Sequence, residues 1–183
     1  MRVILTPETL NYILSTIRIM ESGNDYSINN PSAGSTASGA YQFINSTWNN
    51  YGGFKNAGSA PPNVQDAKAG EEVARILNKY NGELSKIPAV WYVGDHGAES
   101  KPYDFVPYQS AGNTKTIQQY IDDWMACYNE VSANNLSSAE DLFTGLDAKD
   151  DSDFKNLQST GLYVLIFAAL FFIALITYFL WIY

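Results

Sequence analysis

The sequence holds a single cysteine, Cys127, and a single histidine, His96. A lone cysteine forms no intrachain disulfide. One Cys with one His supplies neither a Cys/His zinc set nor the paired histidines of an HExxH site. A Ser-His-Asp arrangement would rest wholly on His96, in the stretch "YVGDHGAES", where a solvated loop residue is the simpler reading. No metal and no cofactor is expected. Positive charge is also scarce, with 11 Lys/Arg against 19 Asp/Glu and no basic stripe. Nucleic acid is therefore not an expected partner. Nor does the start read as a secretory leader, since "MRVILTPETL" has only a three-residue apolar run before Thr6-Pro7. Carboxylate chemistry is what these absences leave.

The 183 residues, 46% of them hydrophobic, suffice for one compact domain with chain left over. Residues 161–183, "GLYVLIFAALFFIALITYFLWIY", carry no charge. At about 1.5 Å per residue, a helix of this length spans a hydrocarbon core of about 30 Å. Tyr163 at one end and Tyr178, Trp181 and Tyr183 at the other stand where interfacial aromatics are expected, so the segment reads as a transmembrane helix. Residues 132–160 contain 2 Lys/Arg against 6 Asp/Glu and read as an acidic, flexible tether. Within it, Leu136, Leu142, Phe143 and Leu146 offer a short amphipathic turn.

Residues 1–131 form the remaining domain, and it is mainly helical. Thr6 as N-cap and Pro7 at the first helical position open a helix whose apolar residues Leu10, Ile13, Leu14 and Ile17 keep helical spacing. Asn45 or Ser46 caps a short helix through Trp48. Asn63 caps another reaching Tyr80, "IPAVWYV" forms a short apolar helix ended by Gly94, and a long helix starts near Thr114. Between the first two helices, "DYSINNPSAGSTASGAYQFI" combines turn residues with a short alternating run, which predicts a small β-hairpin.

Glu21 follows Ile17 by four residues and so shares the core-facing stripe, yet it lies at the open end, before Ser22-Gly23. Partial loss of water there disfavours the carboxylate and raises the pKa. A carboxylic acid still protonated near neutral pH can give its proton to a leaving oxygen, as glycoside cleavage requires. The alternative at this point is a helix-terminal glutamate turned to solvent.

Three ordered stretches add to this reading. Glu21-Ser22, Gly39-Ala40-Tyr41-Gln42 and Ala89-Val90-Trp91-Tyr92, together with "VQDAKAGEEVARIL", resemble the lysozyme-like lytic transglycosylases over roughly residues 8–128. That group includes goose-type lysozymes, resuscitation-promoting factors and muralytic enzymes of phage particles. The resemblance implies an α+β lysozyme-like domain in which Glu21 is the catalytic acid/base. It implies a substrate-binding set of Ser22, which positions the cleft, Gln42 as a sugar-binding amide, and Tyr41 and Tyr92 as cleft-lining rings. Trp91 joins that set with core packing as its alternative, whereas Trp48 reads as packing. Rings stack on sugar faces, and amides both donate to and accept from acetamido and hydroxyl groups. One departure stands out: the family's Tyr-Asn is here Tyr92-Val93, so any bond from that asparagine must come from elsewhere or be lost.

The resemblance further implies peptidoglycan glycan strands as substrate, cleaved at the β-1,4 bond between N-acetylmuramic acid and N-acetylglucosamine. Asp25, Asp95, Glu99 and Asp104 are the candidates for a second carboxylate, and each also reads as surface charge. With one carboxylate the route is intramolecular: Glu21 protonates the bridging oxygen, then accepts the proton of the C6 hydroxyl as it attacks the anomeric carbon. The competing readings are a hydrolytic lysozyme using the same Glu21 and a non-catalytic, glycan-binding structural membrane protein. An anchor at residues 161–183 makes the lipid membrane a partner. Without a leader, the expected setting is the virion membrane of a phage, beside other virion membrane proteins, with the enzyme opening the wall at entry. A bacterial inner membrane is the other location.

Overall fold

The computed structural model describes residues 5–28, 35–109 and 112–147, with side chains through residue 135. The chain divides into two compact units, Met1–Asn134 and Asn135–Tyr183. Among the described residues five α-helices follow in order: α1 (Pro7–Ser22), α2 (Asn45–Trp48), α3 (Pro62–Lys79), α4 (Lys86–Ser100) and α5 (Ile117–Asp147).

Helix α1 begins as the sequence dictates. The Thr6 hydroxyl accepts the Thr9 N–H at 3.1 Å, and Pro7 fills the first turn, where its missing N–H costs nothing. Gly23 ends the helix in the left-handed region, at φ 65°, and its N–H reaches back to the last turn. Ile13 and Ile17 are fully buried, each contributing roughly 1.5–3 kcal/mol of burial. Helix α3 starts at Pro62, not with an Asn63 cap, because Pro61 and Pro62 fix the φ angles from which a helix can start. It packs against both α1 and α4 through Ala69, Val73, Ile76 and Leu77. Trp48 is fully buried, its indole N–H donating to the Phe54 carbonyl at 2.8 Å.

The expected β-hairpin is reduced to one bridge, Ser38 with Phe43, and the described residues contain no strand. The ladder does not extend outward, since the Asn45 N–H donates to the Thr36 hydroxyl at 3.0 Å and not to its carbonyl, and inside the bridge the chain turns. Gly39 and Gln42 sit at φ 73° and 50°, and the Ala40 N–H donates to the Gln65 side chain at 2.9 Å.

Helix α4 extends past Gly94 to Ser100, but Gly94 breaks it, at φ 71° and ψ 171°. Helix α5 starts three residues after Thr114 and continues to Asp147, so the first half of the stretch read as a flexible tether is helical backbone. No proline interrupts residues 117–147, and without one nothing forces the hydrogen-bonded ladder to stop near residue 132. Residues 148–160 and the proposed transmembrane segment 161–183 lie outside the described residues. Among the described residues no helix is long and apolar enough to cross a membrane.

Candidate active site

A cleft of about 870 Å³ opens within the first unit. Glu21 lines it from the end of α1. Gln42, Phe43, Ile44 and Thr47 come from the turn and α2, and Val90 to Asp95 from α4. Successive residues of a straight helix turn by about 100°, so six in a row cannot face one side. The Gly94 break re-aims the helix, so that Asp95 follows on a new course.

Glu21 is held by a residue 99 positions away. The Tyr120 hydroxyl, on α5, donates to Glu21 Oε1. Tyr120 is almost fully buried, and its ring stacks on Tyr92 with centroids 4.2 Å apart and planes 3° from parallel. Asn113 Nδ2 donates to the Tyr92 hydroxyl at 2.6 Å, which in turn donates to the Lys115 carbonyl at 2.9 Å. Burial pushes the Glu21 carboxyl up, and the Tyr120 hydrogen bond opposes this only in part. Its place in the last turn of α1, beside the negative end of the helix dipole, works in the same direction as burial. No Lys, Arg or His forms an ion pair with Glu21 among the described residues. A carboxyl without a cation and largely without water keeps its proton to higher pH than an ordinary glutamate.

The other carboxylates on the cleft have different surroundings. Asp95 accepts from Lys79 at 2.7 Å, Arg75 at 2.9 Å and Tyr80 at 3.0 Å, and these partners hold its pKa below the usual range despite some burial. Glu72, also on the cleft, is paired to Arg75 at 2.7 Å. The other sequence candidates for a second carboxylate do not line the cleft. Asp25 is turned into its own loop by Ser27, and Glu99 is paired with Lys79 at 2.9 Å.

The turn Gly39–Gln42 is clamped by side chains on every side. Ser22 Oγ donates to the Ala40 carbonyl at 2.9 Å, which ties the end of α1 to the turn beside Glu21. Gln65, fully buried, accepts the Ala40 N–H and donates to the Tyr26 and Ala60 carbonyls at 3.0 and 2.8 Å. Trp91 Nε1 donates to the Tyr41 carbonyl at 3.1 Å, and Gln42 Nε2 donates to the Gly39 carbonyl at 2.9 Å. Gly39 has no substitute, since a Cβ there would lie 2.3 Å from Gln65 Oε1.

Of the residues expected to bind substrate, Gln42, Trp91 and Tyr92 line the cleft with Glu21. Trp91 lines the cleft and also packs on Phe43, with ring centroids 5.3 Å apart. Ser22 does not line the cleft; its hydroxyl donates to the Ala40 carbonyl behind it. Tyr41 does not line the cleft at all: it is fully buried, and its hydroxyl donates to Asp66 at 2.6 Å while accepting from Arg18 at 2.8 Å. The left-handed residues on either side of the Ala40-Tyr41 pair turn Tyr41 into the core and leave Gln42 to the cleft. Tyr120, Asn113 and Gln65 were not expected as parts of the site. Tyr120 carries the same helical spacing as its core neighbours, and that spacing gives no hint of its hydroxyl's partner.

Residues 10–82 match the family model described as a transglycosylase-like domain. No curated protein and no solved structure matches the chain. The matched stretch carries Glu21, Ser22, Gly39–Gln42 and Gln65, whereas Trp91, Tyr92 and Tyr120 lie beyond it. The segment that builds the acid's half of the cleft is therefore similar to a transglycosylase-like domain, which supports an enzyme of lytic-transglycosylase-like type acting on peptidoglycan.

Proposed function

We propose that this chain is a peptidoglycan lytic transglycosylase with Glu21 as its general acid and then its base. The observation that carries this reading is the state of Glu21: a desolvated carboxyl on the cleft, held by a tyrosine hydroxyl and paired with no cation among the described residues. Tyr120 occupies Oε1, so Oε2 is the oxygen left to carry the transferable proton. That proton passes to the oxygen bridging N-acetylmuramic acid and N-acetylglucosamine as the anomeric C–O bond breaks. The resulting carboxylate takes the proton of the C6 hydroxyl, whose oxygen bonds to the anomeric carbon and closes a 1,6-anhydro ring. The attacking group is already in the molecule, so no second base is needed to position water. The other carboxylates on the cleft, Asp95 and Glu72, are held in ion pairs, which fits a one-carboxylate route.

The uncharged run 161–183 supports attachment to a membrane. Attachment confines cleavage to wall within reach of one bilayer, as local opening of the wall during phage entry requires. The test is digestion of purified peptidoglycan by the full chain, with fragments analysed by mass spectrometry. Anhydro ends are expected. Reducing ends would replace transglycosylation by hydrolysis at the same Glu21, and intact strands would leave a glycan-binding module.

A further inference from the structure

Four large hydrophobic side chains among the described residues are exposed: Ile19, Ile44, Phe105 and Tyr108. Two of them, Ile44 and Tyr108, line the cleft that holds Glu21. Tyr108 is 63% exposed, and its backbone stands at φ 53°, a region that bulky L-residues rarely occupy. Such backbone persists only where the surroundings over-determine it, and it clusters at ligand clamps. Here the surroundings do so. Pro107, the residue before it, is buried. The Tyr108 carbonyl accepts the Asn113 N–H at 3.4 Å. The loop's base is pinned to the start of α5 by Ile117 N–H to the Phe105 carbonyl, 3.0 Å, and Gln118 N–H to the Tyr103 carbonyl, 2.9 Å. Asn113 then joins the loop to Tyr92, and through the stacked Tyr120 to Glu21. An aromatic ring is thus kept in water, at a disfavoured backbone angle, on the wall of the cleft.

A pyranose suits this wall. Its C–H face is apolar and its rim polar, and the cleft offers Tyr108 and Ile44 beside the hydroxyls of Thr36 and Thr47 and the amides of Gln42 and Asn113. We infer that Tyr108 is a stacking platform for an N-acetylhexosamine ring of the glycan strand, forming a subsite of the cleft with Ile44. The inference rests on reading the cleft as a glycan site. Its contribution is uniform binding, expressed in KM and not in kcat.

The test is calorimetric binding of the N-acetylglucosamine hexamer to the full chain carrying Glu21→Gln, which prevents turnover. Tyr108→Ala in that background should weaken binding about 2- to 12-fold, the range of one aromatic contact, and Tyr108→Phe should restore it. On the wild-type background, Tyr108→Ala should raise KM for peptidoglycan and leave kcat and the melting temperature in place. Unchanged hexamer affinity in Tyr108→Ala would overturn the subsite while leaving the glycan reading intact. Equal loss in Tyr108→Phe would overturn stacking, because the hydroxyl and not the ring face would then make the contact. A chain with Tyr108 intact that does not bind the hexamer would overturn the glycan reading of the cleft and the subsite with it.

Discussion

Glu21 and Asp95 line the same cleft, yet their surroundings move their protons in opposite directions. Glu21 comes from the end of α1 into a wall of tyrosines, with Tyr120 as its hydrogen-bond donor and no cation, and its pKa is raised. Asp95 follows the Gly94 break into a row of Arg75, Lys79 and Tyr80, and its pKa is lowered. Carboxyl groups of nearly the same intrinsic acidity are biased toward the protonated form at Glu21 and toward the anion at Asp95. Desolvation decides the first case, and the cations outweigh it in the second. Position on a cleft does not make a carboxylate catalytic; its partners do.

The largest break in this comparison comes from Glu21→Gln, which keeps shape and removes the transferable proton. Peptidoglycan cleavage should fall by about 10²–10⁴-fold, the usual contribution of a general acid, in a mass-spectrometric digest. The same variant should gain stability relative to the wild type as pH rises. A raised pKa means that the folded state binds more protons than the unfolded chain above the ordinary glutamate value. Wild-type stability therefore declines from that pH up through the raised pKa, and a glutamine escapes the decline. Melting curves at several pH values would show the two proteins diverging upward from the acid side.

Next in size is Gln65→Ala, which strands the Ala40 N–H and the Tyr26 and Ala60 carbonyls. With roughly 1–3 kcal/mol for each buried group left unpaired, denaturant unfolding should show a loss of at least about 3 kcal/mol. Cleavage should fall as well, because the turn that presents Gln42 loses its clamp. Tyr120→Phe sharpens the contrast more gently. Its hydrogen bond lowers the Glu21 pKa, so removing it should move the alkaline limb of the pH–rate profile further up. A downward move would contradict the assigned role. Asp95→Asn should have the smallest effect. Its partners are partly exposed, Arg75 retains Glu72 and Lys79 retains Glu99, so stability should change by only about 0–1 kcal/mol. Cleavage at neutral pH should be unaffected, and a collapse would make Asp95 a second catalytic carboxylate.

Glu21 was legible because helical spacing is local: four residues after Ile17, a glutamate must share the buried stripe, and Gly23 ends the helix where it does. The Thr6 cap with Pro7 was legible for the same reason. The hairpin was misread because an alternating run shows which residues are apolar but not which N–H groups are already bonded. The Asn45 N–H, where a ladder would continue, goes to the Thr36 hydroxyl. Tyr41 was misplaced by the same turn, since left-handed angles at Gly39 and Gln42 decide which side chains reach the cleft. Glycine announces such an angle, and a glutamine does not. Tyr120 and Asn113 lay beyond reach because their partners belong to other helices. Their types are ordinary, and only the packing gives them roles.

Glu21 should keep its proton at a pH where Asp95, on the same cleft, has lost its own. Carbon-13 NMR titration of the side-chain carboxyls in the full chain, with Glu21→Gln and Asp95→Asn used to assign the resonances, measures this directly. Glu21 should titrate above the ordinary glutamate value and Asp95 below the ordinary aspartate value. A Glu21 carboxyl that titrates at or below the ordinary value would contradict it.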